Sequence, residues 1–233
     1  MSSPSPDKVV VVGCGFVGSI FTTEFLKRMF AGDLTPQMRF VDDDTVDKRN
    51  CANQNFHPSD IGTPKAEVMH KLAATQNLRT EFHKVRLVPD NMEALLTNAL
   101  LVVDGVDNLA SRQLLSSYAQ GSGVPVLHIG ISEQGTGKVE WSHPKHTTFS
   151  LTPARTFGKV IADPVSGVTP PCELARMRGV GLNAGFAAAI AASICLGFDP
   201  ESFLEGKDTA GYLTDWQAHP TGFAPIKELW SRI

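Results

Sequence analysis

Cysteines are scarce in this 233-residue sequence, and none of them forms a closely spaced pair. The four that occur are Cys14, Cys51, Cys172 and Cys195, without a CxxC motif. Disulfide-stapled domains and structural zinc sites need paired cysteines, so both classes are excluded. We expect four free thiols and a fold held by its core, for which 42% hydrophobic residues are sufficient.

Long apolar runs and basic runs are missing as well. Residues 1–7, MSSPSPD, lack the apolar centre of a signal peptide and are expected to form a short disordered leader. The longest apolar stretch, residues 184–196, is shorter than the roughly 20 residues that span a bilayer. A net charge of −3 without a basic cluster argues against nucleic acid or membrane as a partner. We expect a cytoplasmic protein with one domain, residues 8–233, that binds small molecules or proteins.

Strand-like and helix-like segments alternate through the first 130 residues. This alternation predicts an α/β fold with right-handed crossovers and a doubly wound parallel sheet. The later segment 137–142 alternates like an antiparallel strand, so we expect a mixed sheet with an antiparallel extension. A crossover loop is expected near residues 157–171. The predicted strands are 8–12, 38–41, 81–85, 100–104 and 124–130, and the predicted helices are 17–30, 63–74, 91–99, 108–119 and 182–196.

A glycine motif follows the first predicted strand. Residues 9–19 read VVVVGCGFVGS, in which Gly13, Gly15 and Gly18 form GxGxxG ahead of a helix. Gly13 permits a tight turn, Gly15 permits close approach of phosphate oxygens, and Gly18 permits close packing of helix on strand. The motif predicts a phosphate-binding loop in a Rossmann-like fold.

Asp42 ends the second predicted strand, about where an acid binds ribose in such folds. A solvated turn of three aspartates is the alternative. Strand geometry would place Asp42 and Asp44 on one side and Asp43 on the other, so only the first two could face one ligand.

Lys65 begins a predicted helix directly after Pro64. A cation at this end opposes the helix dipole unless an anion lies nearby, which favours a phosphate contact over an exposed lysine without a role. Asp107, beyond the fourth strand, is either a helix N-cap or a magnesium ligand, and Arg112 could orient it or Asp104. His128 is expected to be a core residue.

Taken together, the motifs GxGxxGS, DxDxVxxxNxxxQxF, DIGxxKA and DGxDNxxxR resemble the ThiF/MoeB/ubiquitin-activating-enzyme family of ATP-dependent adenylyltransferases. The resemblance is close over residues 8–130 and loose in the helix after Gly181. It implies a nucleotide-binding domain that adenylates the C-terminal carboxylate of a ubiquitin-like protein, sulfur carrier or peptide with ATP and magnesium. The residues it implies are Gly13, Gly15, Gly18, Asp42 and Asp44 for the nucleotide, Asn50, Gln54 and Lys65 for the phosphates, and Asp107 for the metal.

The sequence departs from the family pattern in two places. Asn53 stands where an arginine is usual and cannot supply its charge, although Arg49 could substitute. The family's upstream helix, which lends an arginine across a dimer, has little room before Lys8. We therefore expect that contribution to be missing, and a homodimer is left as an open alternative.

Cys172 follows two prolines in a segment that loosely resembles the family's thioester-forming region. A thiol at a helix N-terminus has a lowered pKa and could capture an acyl group, or it could be a small packing residue. Cys195 is expected in the core, and Cys14 and Cys51 are expected to pack beside the nucleotide contacts.

Two other functions compete with adenylation. A catalytically weak nucleotide-binding or partner-binding scaffold is favoured by Asn53 and the short N-terminus. An NAD-dependent oxidoreductase would need GxGxxG and Asp42, but it would leave Lys65 and Asp107 without a role.

Overall fold

The computed structural model of the chain describes residues 8–30, 36–52, 54–131, 137–142, 181–195, 215–219 and 222–225. Several predictions from the sequence lie outside these ranges and stay predictions. They are the leader 1–7, the crossover loop near 157–171, Cys172, and the extent of the single domain.

The described helices and strands follow the predicted order. Two short 3-10 turns, Asn50–Ala52 and Pro58–Asp60, lie between the second strand and the second helix. The strands are β1 (Lys8–Val12), β2 (Gln37–Val41), β3 (Thr80–His83), β4 (Ala99–Asp104), β5 (Val126–Ile131), β6 (Gly137–Ser142), β7 (Asp215–His219) and β8 (Gly222–Pro225). The helices are α1 (Phe16–Phe30), α2 (Lys65–Ala74), α3 (Pro89–Leu96), α4 (Leu109–Ser122) and α5 (Gly181–Cys195).

All eight strands form one sheet in the order β3-β2-β1-β4-β5-β6-β7-β8. Strands β1 to β5 pair in parallel, whereas β6, β7 and β8 pair antiparallel to their neighbours. The chain winds outward from β1 to β3 and then returns to place β4 on the other side of β1. This reversal creates a crevice at the carboxyl ends of β1 and β4, where open α/β sheets bind ligands.

Both faces of the sheet are covered, which confirms the predicted doubly wound α/β fold. Successive residues of β1 point to opposite faces, so Val9 and Val11 pack with α1, α2 and α5, whereas Val10 and Val12 pack with α3 and α4. Helix α5 packs against α1. Among the described residues, no helix is both long enough and apolar enough to cross a membrane.

Candidate functional site

Three glycines pack backbone against backbone at the crevice. Gly13 directly follows β1 and has a φ of +86°, and its N–H donates to the carbonyl of Val41 at 2.9 Å. A Cβ on Gly18 would lie 1.9 Å from the Gly13 oxygen, and a Cβ on Gly13 would lie 2.7 Å from the Gly105 carbonyl carbon. Gly13 and Gly18 are therefore required by packing, together with Gly105, which sequence reasoning left without a role although it directly follows β4.

Gly15 differs from its two neighbours in the motif because the space beside it is open. A Cβ there would meet, among the described residues, only Gln54 Oε1 at 4.0 Å. The adjacent start of α1 presents backbone N–H groups and the positive end of the helix dipole. This arrangement leaves the Gly15 backbone accessible to an anion such as a phosphate.

Asp42 ties the end of β2 to the glycine turn. Its Oδ2 accepts from the Cys14 N–H at 2.6 Å, and its Oδ1 accepts from the Asp44 N–H at 2.8 Å. Burial raises the pKa of Asp42, and these two N–H groups oppose the rise. Each carboxylate oxygen can accept a further hydrogen bond, as from a ribose hydroxyl.

The neighbouring acids do not alternate as a strand would require. Asp43 lies 3.1 Å from Arg86 Nε, and Asp44 lies 2.6 Å from Lys65 Nζ, yet one oxygen of each of the three aspartates lies within 4.8 Å of the others. The expectation that Asp43 faces away from Asp42 and Asp44 is wrong, because β2 ends at Val41 and the period-2 geometry ends with it.

Lys65 is buried rather than exposed. It is the first residue of α2, its side chain is 8% exposed, and its Nζ forms the ion pair with Asp44. The backbone N–H of Lys65 also donates to the Asp44 carbonyl at 3.0 Å. Asp44 is thus the anion that offsets the unfavourable dipole interaction, and the alternative of an exposed lysine without a role is wrong.

Asn50 is fixed by a local hydrogen-bond box with Asp47. Its Oδ1 accepts from the Asp47 N–H at 2.8 Å, while Asp47 Oδ1 accepts from the N–H groups of Arg49 at 2.7 Å and Asn50 at 3.1 Å. Within the part of the chain that the structure describes, the Asn50 Nδ2 donates to no acceptor. The Arg49 side chain is 90% exposed and bonds to Asp47 Oδ2 at 2.8 Å.

Gln54 carries a buried oxygen, Oε1, for which the described residues provide no hydrogen-bond donor. The following residue fixes its position, since the Asn55 N–H donates to Ser19 Oγ at 3.1 Å and Asn55 Nδ2 donates to Thr23 Oγ1 at 3.0 Å. Sequence reasoning gave no role to Ser19, Thr23 or Asn55. Because an amide rotates readily about its last torsion, Gln54 can turn either its carbonyl or its NH₂ toward the Gly15 backbone.

Asp107 lies beyond β4 and is exposed. It is not the N-cap of α4, because Asn108 has extended backbone angles and its side chain accepts from the Ser111 N–H at 2.9 Å. The Asp107 carboxylate bonds to none of the described residues. The N-cap interpretation is therefore wrong, and the carboxylate is available to a cation.

A buried polar cluster lies behind Asp107. Asp104 Oδ2 lies 2.6 Å from His128 Nδ1 and 3.3 Å from Arg112 Nη1. Burial acts to raise the pKa of Asp104, but Arg112 and the His128 hydrogen bond outweigh it and hold that pKa below its usual value. The prediction that His128 is a core residue is confirmed, since it is 0% exposed.

Ser116, His128 and Asp104 are hydrogen-bonded in the order of a hydrolase triad, with Ser116 Oγ 3.3 Å from His128 Nε2. Ser116 lies in the middle of α4, however, where the backbone N–H groups are used within the helix. No pair of amide donors is then available for an oxyanion at this serine. The cluster is therefore structural.

The family model described as the ThiF family matches residues 5–208, most of the chain. The protein belongs to the ThiF family. It is 30% identical over 225 residues to the sulfur carrier protein adenylyltransferase of Thermus thermophilus, covering 94% of this chain and 77% of the relative. It is also 32% identical over 124 residues to the SAMP-activating enzyme E1 of Haloferax volcanii, covering 52% of this chain and 44% of that protein.

Solved structures agree with the fold of this ThiF-family protein. The crystal structure of E. coli MccB with ATP matches with a TM-score of 0.60 at 15% identity, covering 83% of this chain and 57% of that one. MccB with AMPCPP and MccA gives a TM-score of 0.61 at 14% identity, covering 83% and 57%. The chain spans less than half the length of several curated relatives that it matches.

The described cysteines of the ThiF-family chain, Cys14, Cys51 and Cys195, are free thiols. Burial, followed by the charge of Asp42, raises the pKa of Cys14 well above its usual value. Burial raises the pKa of Cys195 to about 11, and this residue packs on the core as expected. These two thiols are therefore poor nucleophiles, because the thiolate is the reactive form.

Proposed function

We propose that this protein is an ATP-dependent adenylyltransferase that activates the C-terminal carboxylate of a ubiquitin-like protein, sulfur carrier or peptide. One observation carries the proposal: the open Gly15 backbone faces the Gln54 oxygen, which has no hydrogen-bond partner among the described residues, at the sheet edge where Asp42 follows β2. An anion that approaches there meets the start of α1. The proposal is further supported by relatives that are named as adenylyltransferases.

In this proposal the residues would contact a nucleotide in order along the crevice. Asp42 would accept from the ribose hydroxyls through its remaining lone pairs. Gly13, Gly15 and Gly18 would surround the phosphates, with Asn50 Nδ2, Gln54 and Lys65 as donors. Asp44 would hold Lys65 in place.

The exposed carboxylate of Asp107 fits a magnesium ion, which accepts one or two carboxylates and completes its shell with water and phosphate oxygens. When bound, the ion would neutralise charge that develops on the phosphates.

The reaction would be an in-line displacement at the α-phosphorus. An oxygen of the partner's terminal carboxylate forms a bond to phosphorus, and the bond from phosphorus to the bridging oxygen of pyrophosphate breaks. Pyrophosphate leaves with the electron pair, and an acyl adenylate remains. The attacking carboxylate is already ionised, so no general base is needed, and fixed donors such as Lys65 would hold the accumulating negative charge.

Exchange of labelled pyrophosphate into ATP tests this proposal. We expect exchange that requires magnesium and a carrier protein ending in Gly-Gly, and that is lost when the carrier is truncated. Tight ATP binding without exchange would instead support a scaffold. Calorimetry that finds binding of NAD but not ATP would support an oxidoreductase.

We further propose that Cys172 receives the acyl group. Its thiolate would attack the acyl carbon, form a thioester and release AMP. The adduct should form with the parent and disappear in Cys172→Ala, while pyrophosphate exchange persists in both. Loss of exchange in Cys172→Ala, or an unchanged adduct, would contradict this step.

The cytoplasmic location and the homodimer stay proposals. Sedimentation analysis of the purified chain with and without ATP would determine its oligomeric state.

A further inference from the structure

Val106, the residue immediately before Asp107, has both of its backbone polar groups held by buried side chains. Its N–H donates to Asp104 Oδ1 at 3.0 Å, and its carbonyl accepts from Arg112 Nη2. Arg112 also donates to the Ile129 carbonyl at 2.9 Å, which connects the turn to β5. The Arg112 side chain is 5% exposed and the Asp104 side chain is 0% exposed.

The residues on either side of Val106 are fixed as well. Gly105 donates its N–H to the Val12 carbonyl at 2.9 Å and packs against the backbone of Gly13. On the other side, Asn108 caps α4. The backbone on both sides of Asp107 is therefore held to the phosphate loop and to the helix, although the Asp107 carboxylate itself is exposed.

We propose that Arg112, acting with Asp104, is a positioning residue that aims the Asp107 carboxylate at the divalent cation. This inference rests on the proposed adenylyltransferase function, in which Asp107 holds magnesium. Loss of the partners that orient a metal ligand typically lowers metal affinity about 10- to 100-fold, so a charge-conserving change at Arg112 should weaken cation binding without removing the ligand.

The variant Arg112→Lys tests the inference, because a lysine keeps the charge next to Asp104, but its single nitrogen cannot reproduce the positions of the two guanidinium nitrogens that donate to Asp104, Val106 and Ile129. Ser116→Ala is the matched control, since Ser116 bonds to His128 on the far side of the same cluster and has no bond to Val106. Binding of Mn²⁺ to the ATP-loaded full chain is measured by electron paramagnetic resonance, and ATP binding without metal is measured by calorimetry.

In Arg112→Lys we expect the affinity for Mn²⁺ to fall about tenfold or more, while the affinity for ATP without metal stays at the parent value. In Ser116→Ala we expect both affinities to stay at the parent value. Unchanged Mn²⁺ affinity in Arg112→Lys, or an equal loss in both variants, would overturn the inference. A parent protein that binds Mn²⁺ and ATP but catalyses no exchange would contradict the proposed function and leave the inference intact.

Amide hydrogen exchange of the parent protein provides a second test, which does not depend on whether a variant folds. The Val106 N–H should exchange as slowly as the amides of β4, because its acceptor is fully buried. Exchange at the rate of an open loop would overturn the inference.

Discussion

Asp107 is exposed and unbonded within the described chain, so its replacement separates chemistry from folding. We expect Asp107→Asn to lower pyrophosphate exchange about 100-fold, because a neutral amide holds magnesium less well and the positive charge of the ion at the phosphates is then lost. The melting temperature should stay at the parent value, since Asn108 supplies the cap. Asn108→Ala should show the opposite separation, losing about 1 kcal/mol of stability with a smaller effect on exchange. Equal exchange in Asp107→Asn and parent would remove Asp107 from the site.

At Lys65, too, the effect on catalysis can be separated from the effect on folding, provided that the substitution keeps the buried apolar part of the side chain. Lys65→Met keeps the apolar stem and removes the charge, leaving Asp44, which is 65% exposed, to be solvated by water. We expect exchange to fall strongly and the free energy of unfolding to change by less than about 1 kcal/mol, because an ion pair with one exposed partner contributes little. Lys65→Ala should cost more stability, since the packed stem is lost as well. A large fall in stability with normal exchange in Lys65→Met would make Lys65 structural.

At the scale of the β1–loop–α1 element, the glycines should divide into two groups. Gly18→Ala should cost about 3 kcal/mol or more, because its Cβ would lie 1.9 Å from the Gly13 oxygen. Gly15→Ala should leave the melting temperature nearly unchanged but weaken ATP binding about tenfold, or about 1.4 kcal/mol. Thermal unfolding and calorimetry measure both effects. Undiminished ATP affinity in Gly15→Ala would contradict phosphate contact at Gly15.

The connection of β4 to α4 and β5 should govern acid stability. The pKa of Asp104 is lowered in the folded protein, so its contribution is complete above the unfolded value of about 3.9 and is lost as the pH falls toward the folded value. Asp104→Asn should lose about 3–5 kcal/mol at pH 7, because it breaks a buried ion pair. Its stability should then fall less steeply than the parent's on acidification, as measured by urea unfolding. Parallel pH profiles would contradict this account.

Elements with a regular pattern were predictable from the sequence, and long-range partners were not. The valines of β1 and the glycine motif that follows them correctly predicted β1, α1 and the crevice. The Asp44–Lys65 pair joins residues 21 positions apart, so only the folded crossover reveals it. Asp43 was misplaced because a side-chain period cannot indicate where its own strand ends. Strands β7 and β8 were not assigned, since four or five residues show too little alternation.

At the scale of the whole molecule, the chain has the fold of the ThiF family and belongs to it. The proposed adenylation rests on residues at one edge of the sheet. The parallel half brings the phosphate loop, Asp42 and the turn before Asp107 to the same crevice. Asn53, where the resemblance to the family implies an arginine, lies outside the described residues, so its effect on rate must be measured. An Asn53→Arg variant that raises exchange would show that the missing cation limits catalysis.

Mass spectrometry of the carrier is the most direct measurement of the central claim. The protein is incubated with ATP, magnesium and a small carrier ending in Gly-Gly, and the carrier is analysed for addition of one AMP. We expect the AMP adduct to form on the carrier's C-terminus with the parent and to be nearly lost with Asp107→Asn. ATP binding without any carrier adduct, across carriers that relatives of this family accept, would contradict the account.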